Sequence, residues 1–216
     1  MNWMKDKYRR SLLLLVIVYL VGTVTVLAGY TDQLMKLTSY NLLFVAFLFL
    51  YHATNVNRMY AICLLVIGIS GYLVELLGIF TGFVFGSYAY GAGLGIKLAG
   101  VPLMIGVNWA LLIFATGALV HRINLALWIK AALGATLMVG YDLLLEPVAM
   151  RFDFWSWEGN QVPLQNYIAW WVISFVMHLG VLSRVKNLQN KLALPVIIIQ
   201  ALFFLLLILT ENLSVF

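Results

Sequence analysis

The sequence predicts an all-α, polytopic membrane protein, a bundle of about seven transmembrane helices with a Gly- and aromatic-rich outer loop. Three observations lead there. Of the 216 residues, 64% are hydrophobic and only 10% are charged, against about 25% charged in an ordinary soluble domain. Seven apolar stretches, each near the roughly 20 residues that cross a bilayer, fill the chain. The basic residues are also spread unevenly between alternate loops, as the positive-inside rule requires of an oriented membrane protein. No room is left for a separate soluble domain, so 1–216 reads as a single transmembrane helical domain.

The stretches run over 11–29, 34–53, 59–78, 101–120, 125–145, 167–182 and 192–210. The first follows Lys5, Lys7, Arg9 and Arg10 in the manner of a signal peptide. It is too long for a signal core, however, and six more stretches come after it. With a cytoplasmic N-terminus the inner segments hold nine basic residues: Lys5, Lys7, Arg9, Arg10, Arg58, Arg122, Arg184, Lys186 and Lys191. The outer loops then hold three, Lys36, Lys97 and Arg151. The expected location is therefore the cell (inner) membrane, multi-pass, with the N-terminus cytoplasmic and the C-terminus outside. The net charge of +5 serves topology, so the lipid bilayer is the expected partner and nucleic acid is not. A single cysteine, Cys63, excludes an intramolecular disulfide.

The third stretch ends with Glu75 near the outer leaflet, and the loop after it, 78–100, contains seven of the 17 glycines. Phe85, Tyr88 and Tyr90 lie in that loop, in a segment, 83–90, that partly alternates and reads as a short hairpin or re-entrant loop. The glycines of Gly91-Ala-Gly-Leu-Gly95 are no dinucleotide fingerprint, because no βαβ unit surrounds them. In the fourth stretch Asn108 and Trp109 lie at a depth that brings Asn108 toward Glu75 or Asp142.

The fifth stretch carries most of the chemistry. Residues 140–159 hold four of the eight acidic residues, Asp142, Glu146, Asp153 and Glu158. Asp142 and Glu146 are spaced i and i+4, so on a helix they share one face, roughly 6 Å apart. Like charges at that spacing are unfavourable unless a proton is shared or a cation sits between them. Acids inside a membrane are costly and ordinarily functional. Pro147 is expected to end or kink the helix directly after Glu146, leaving the pair at a helix C-terminus. Trp155, Trp157, Asn166, Tyr167, Trp170 and Trp171 follow, more aromatics than interface anchoring needs.

His52, His121 and His178 fall toward the cytoplasmic side, away from these acids, and no metal-ligand cluster is evident. No metal or organic cofactor is expected. The seventh stretch lacks a lysine for a retinal Schiff base.

Several blocks resemble one family. Thr81-Gly-Phe-Val-Phe-Gly-Ser-Tyr-Ala-Tyr90, Leu94-Gly95 and Gly100-Val-Pro-Leu103 are similar to the third-loop signature of the CruF-like carotenoid 1,2-hydratase family. Tyr141-Asp-Leu-Leu-Leu-Glu-Pro147, Trp155-Ser-Trp157 and Val162-Pro-Leu-Gln-Asn-Tyr167 are similar to its second signature. The resemblance covers about 75–171 and departs from the pattern at Val84 and Gly106, in places where proline is usual or frequent.

It implies a cofactor-independent hydro-lyase of carotenoid biosynthesis. Such an enzyme adds water to the terminal double bond of an acyclic end group of the lycopene or γ-carotene type. The substrates are then a carotenoid and water, and other enzymes of the carotenoid pathway are conceivable partners. Asp142, Glu146 and Glu75 become the catalytic candidates for acid–base catalysis. Asn108, Trp109, Phe85, Tyr88, Tyr90, Tyr141, Trp155, Trp157 and Asn166 become the substrate-binding ones. Two alternatives stay open from the residues: a carotenoid end-group cyclase, which also begins by protonating a terminal alkene, and a proton-coupled membrane transporter.

Overall fold

The computed structural model describes residues 2–213, with side chains over 6–210, so Lys5 in the basic count above lies outside the described side chains. Seven helices follow one another: α1 Asn2–Leu27, α2 Thr31–Tyr51, α3 Arg58–Thr81, α4 Met104–His121, α5 Leu127–Arg151, α6 Leu164–Arg184 and α7 Ala193–Leu213. Each contains a window long and apolar enough to cross a membrane. This is the expected multi-pass helical bundle. α4 is its axis, with 13 of its 18 residues buried, and it packs against α2, α3, α5, α6 and α7. α1 and α2 are more peripheral and leave many aliphatic side chains outward, as a lipid-facing surface allows.

Two departures from the sequence reading shape the site. Pro147 does not end α5, which runs on to Arg151. Proline removes one N–H bond, toward the carbonyl four residues back. The turn beyond it is secured by other means: Val148 and Ala149 are buried, and their carbonyls accept the amides of Phe152 at 3.0 Å and Phe154 at 2.9 Å. Asp142 and Glu146 therefore stand inside the helix, on a scaffold that is helical on both sides of them.

The second departure concerns the glycine-rich loop. Segment 83–90 does not fold on itself as a hairpin. Its strand β1, Tyr88–Tyr90, pairs antiparallel with β4, Trp155–Trp157, from the loop between α5 and α6. The hairpin forms later in the loop, between β2, Lys97–Leu98, and β3, Val101–Pro102. Its two-residue turn places Ala99 at φ 49° and Gly100 at φ 87°, the left-handed pair that a type I′ hairpin requires. Gly106, a departure from the family pattern, has a packing reason. A side chain there would meet the Gly68 carbonyl at 2.7 Å, so glycine lets α3 and α4 touch backbone to backbone.

Candidate active site

At the end of the bundle where α3 and α5 finish and α4 and α6 begin, three carboxyls are almost wholly buried: Glu75 at 4%, Asp142 at 0% and Glu146 at 2% exposure. Buried carboxylates need hydrogen-bond donors, and the two-stranded β1–β4 ribbon supplies most of them. Successive side chains on a strand point to opposite faces. Tyr88 and Tyr90 thus share a face, as do Trp155 and Trp157 opposite them. Both tyrosine hydroxyls donate to Glu75 Oε2, at 2.6 and 2.9 Å. Both indole N–H groups donate to Glu146 Oε2, each at 2.8 Å. The rings also pack across the ribbon, Tyr88 on Trp157 at 5.0 Å and Tyr90 on Trp155 at 6.0 Å between centroids. Burial, and then the Glu75 charge, push both phenols well above their ordinary pKa, so they remain protonated donors.

The other donors come from helices. Trp109 Nε1 on α4 donates to Glu75 Oε1 at 3.0 Å, and its ring stacks on Trp170 of α6 at 4.5 Å. Gly71 on α3 makes this position available, since a Cβ there would lie 2.5 Å from the Trp109 Cβ and Cγ. Asn166, in the first turn of α6, bridges the remaining pair. Its Nδ2 donates to Asp142 Oδ2 at 3.0 Å and to Glu146 Oε1 at 3.2 Å. The i, i+4 spacing of Asp142 and Glu146 is what lets one amide reach both. Asp142 Oδ1 is buried with no hydrogen-bond partner among the described residues.

A small cavity lies between Glu75 and Glu146, walled also by Phe85, Tyr88, Tyr90, Trp109 and their neighbours. Its volume of about 20 Å³ suffices for one water molecule, which needs roughly 10–15 Å³ by the same measure. Ile105, Asn108 and Trp155 separate it from a larger, mostly apolar cavity of about 340 Å³ and line both. The arrangement joins proton-handling groups and a place for water to a compartment suited to a hydrocarbon.

Two comparisons with known proteins return matches. A model of the family described as carotenoid biosynthesis protein matches residues 37–215. The chain belongs to the carotenoid biosynthesis protein family. Among curated relatives, a bisanhydrobacterioruberin hydratase of Haloarcula japonica is 31% identical over 169 residues, 70% of this chain. The match spans 57% of that relative's length. No solved structure matches the chain.

Within this family fold, the residues singled out from the sequence do not all meet in one place. Glu75, Glu146, Phe85, Tyr88, Tyr90, Asn108, Trp109, Trp155, Trp157 and Asn166 line the small cavity. Asp142 lies outside that lining and reaches it through Asn166. Tyr141 faces the large cavity and donates to Gln200 at 3.1 Å. Asp153 accepts the Ala92 amide at 3.1 Å and serves the loop. Trp170 and Ile105 were missed as site residues. Trp170 stood within the aromatic surplus that follows α5 with nothing local to single it out, and an isoleucine in an apolar helix carries no signal at all.

Two of the three histidines are spent on helix contacts. His52 meets Ser11 at 2.9 Å. His178 bridges the Ser174 carbonyl at 2.7 Å and Thr116 at 2.8 Å.

Proposed function

We propose that the protein hydrates the terminal double bond of an acyclic carotenoid end group, using its own carboxyls as acid and base. The observation that carries this reading is the junction of the two cavities. A buried, donor-lined, water-sized space meets an apolar one there, in a chain of the carotenoid biosynthesis family.

Asp142 and Glu146 together hold the proton, which supplies the partner that Asp142 Oδ1 otherwise lacks. That proton goes to the less substituted alkene carbon, and the π electrons form the new C–H bond, leaving a tertiary cation. The cation faces the ring of Trp155, whose quadrupole stabilises positive charge. Water attacks the cation, and Glu75, which already accepts three hydrogen bonds, takes the proton that water loses. Return of that proton to the Asp142–Glu146 pair closes the cycle, with one water added. Every acid and base in the scheme comes from the chain, and the proposal includes turnover without flavin, nicotinamide or metal. Tyr88, Tyr90, Trp157 and Asn166 fix the carboxyls in place.

Expression in a lycopene-producing host, with mass analysis of the pigments, tests the reaction. The expected product is heavier by one water, and turnover in deuterated water is expected to leave one non-exchangeable deuterium beside the new alcohol carbon. An isomer of unchanged mass would mean cyclisation, and unchanged pigment would remove the enzymatic reading.

The proposal extends to orientation: one helical domain in the cell membrane, N-terminus cytoplasmic, with the carboxyls in the outer leaflet. The bias in basic residues supports it. A cysteine at Asn160, with Cys63 replaced by serine, is expected to react with a membrane-impermeant maleimide from outside intact cells. Labelling only after the cytoplasmic face is opened would reverse the orientation.

A further inference from the structure

The large cavity is not enclosed by protein on all sides. Val18 and Gly22 of α1, Thr38 and Leu42 of α2, and Phe203 of α7 form part of its wall. Val21 and Leu37 line it too, yet are 58% and 56% exposed. Side chains that wall a cavity and also face outward mark its mouth, and these two lie on α1 and α2. Both helices span the membrane by length and hydropathy, so the mouth opens sideways onto lipid rather than onto water.

Several polar groups in the wall are occupied with one another, although Asn41 Oδ1 is buried with no hydrogen-bond partner among the described residues. Gln200 Nε2 donates to the Tyr19 hydroxyl at 2.7 Å and Tyr141 donates to Gln200 Oε1, so the lining offered to a guest is mainly hydrocarbon. The inner end stops at Ile105, Asn108 and Trp155, beyond which only about 20 Å³ remains. That space takes a water but not a branched hydrocarbon end. The volume of about 340 Å³ lies within the roughly 300–1,000 Å³ of ligand pockets.

We infer that the gap between α1 and α2 is a lateral portal through which an acyclic polyene chain slides from the bilayer into the large cavity. Its terminal double bond comes to rest against Ile105, Asn108 and Trp155, within reach of the carboxyl-lined space. Only the fate of the double bond at that stop rests on the hydration reading; the portal itself rests on the cavity, its mouth and its closed inner end. A chain held this way reacts at its end alone, because the conjugated middle remains between α1 and α2.

The test uses purified wild-type protein in lipid nanodiscs and an acyclic polyprenyl chain bearing a diazirine midway along its length. Adducts mapped by mass spectrometry are expected in 17–25 of α1, in 33–42 of α2 and near Phe203, and excess lycopene is expected to suppress them. Thr38→Trp and Gly22→Phe, which fill the cavity without touching a carboxyl, are expected to weaken lycopene competition by about tenfold or more. Leu65→Trp, on the lipid face of α3, is expected to compete like the wild type.

Adducts scattered over lipid-facing positions, or cavity adducts that lycopene leaves unchanged, would overturn the portal; the latter would mean that a lipid acyl chain occupies the cavity. Because labelling needs no turnover, the two readings fail separately. Cavity adducts without a hydrated product would sink hydration alone, and a hydrated product with adducts elsewhere would sink the portal alone.

Discussion

Glu146→Gln is expected to lower the hydration rate by at least about 10²-fold, within the 10²–10⁴-fold that general acid–base catalysis ordinarily contributes. The carboxyl sits between two indole N–H groups at 2.8 Å and the Asn166 amide at 3.2 Å. Glutamine keeps the size and one accepting oxygen, but its NH₂ group replaces the oxygen that would carry the proton. Asp142→Asn should produce a loss on the same order, because it removes the other half of the shared site. Pigment hydration per unit of membrane-inserted protein is the measurement, with helix content by circular dichroism as the control for folding. If both variants hydrate within a few-fold of the parent, the proton comes from elsewhere and the assignment of the pair is wrong.

The second large effect is expected from a residue with no functional group. Gly71→Ala places a methyl 2.5 Å from two atoms of the Trp109 side chain, closer than carbon atoms pack. Either α3 and α4 separate, or the indole leaves its position between Glu75 and Trp170. Overpacking of this kind costs roughly 1–3 kcal/mol. Here it also takes from Glu75 the donor at 3.0 Å, so thermal stability in detergent and hydration rate should fall together. Gly140→Ala supplies the control. Nothing lies within 4 Å of a Cβ at that position on α5, and the variant should match the parent or slightly exceed it in stability, as alanine in a helix does. Equal behaviour of the two variants would remove the packing argument.

These two experiments also mark what could be read from the sequence. The spans were legible because hydrocarbon and water select composition so strongly; nine basic residues around 58, 122 and 184–191 and at the N-terminus sufficed to propose an orientation. Glu75, Asp142 and Glu146 were legible because an acid in an apolar helix has few structural excuses. The alternation in 83–90 was visible as well, but its partner was not. Strand pairing between two distant loops leaves no local periodicity, so Tyr88 and Trp157 could be called aromatic without being seen as neighbours. Pro147 misled because its backbone penalty is local, whereas the burial of Val148 and Ala149 that offsets it is tertiary. The large cavity was invisible for a different reason. Val18, Gly22 and Thr38 look like any lipid-facing residues, and only the spacing between α1 and α2 makes them a wall.

The β1–β4 ribbon has a consequence for the order in which the protein matures. Its strands lie on either side of α4 and α5, and the chain between them must first enter the bilayer as helices. Pairing Tyr88 with Trp157 closes a long loop, an entropic cost met only after the intervening helices are in place. Helix insertion therefore comes first and ribbon closure last. Until it closes, Glu75 lacks two of its donors and Glu146 two of its own. One late pairing between two distant loops thus brings four of the donors to these carboxyls together, so the site is completed in a single step rather than residue by residue.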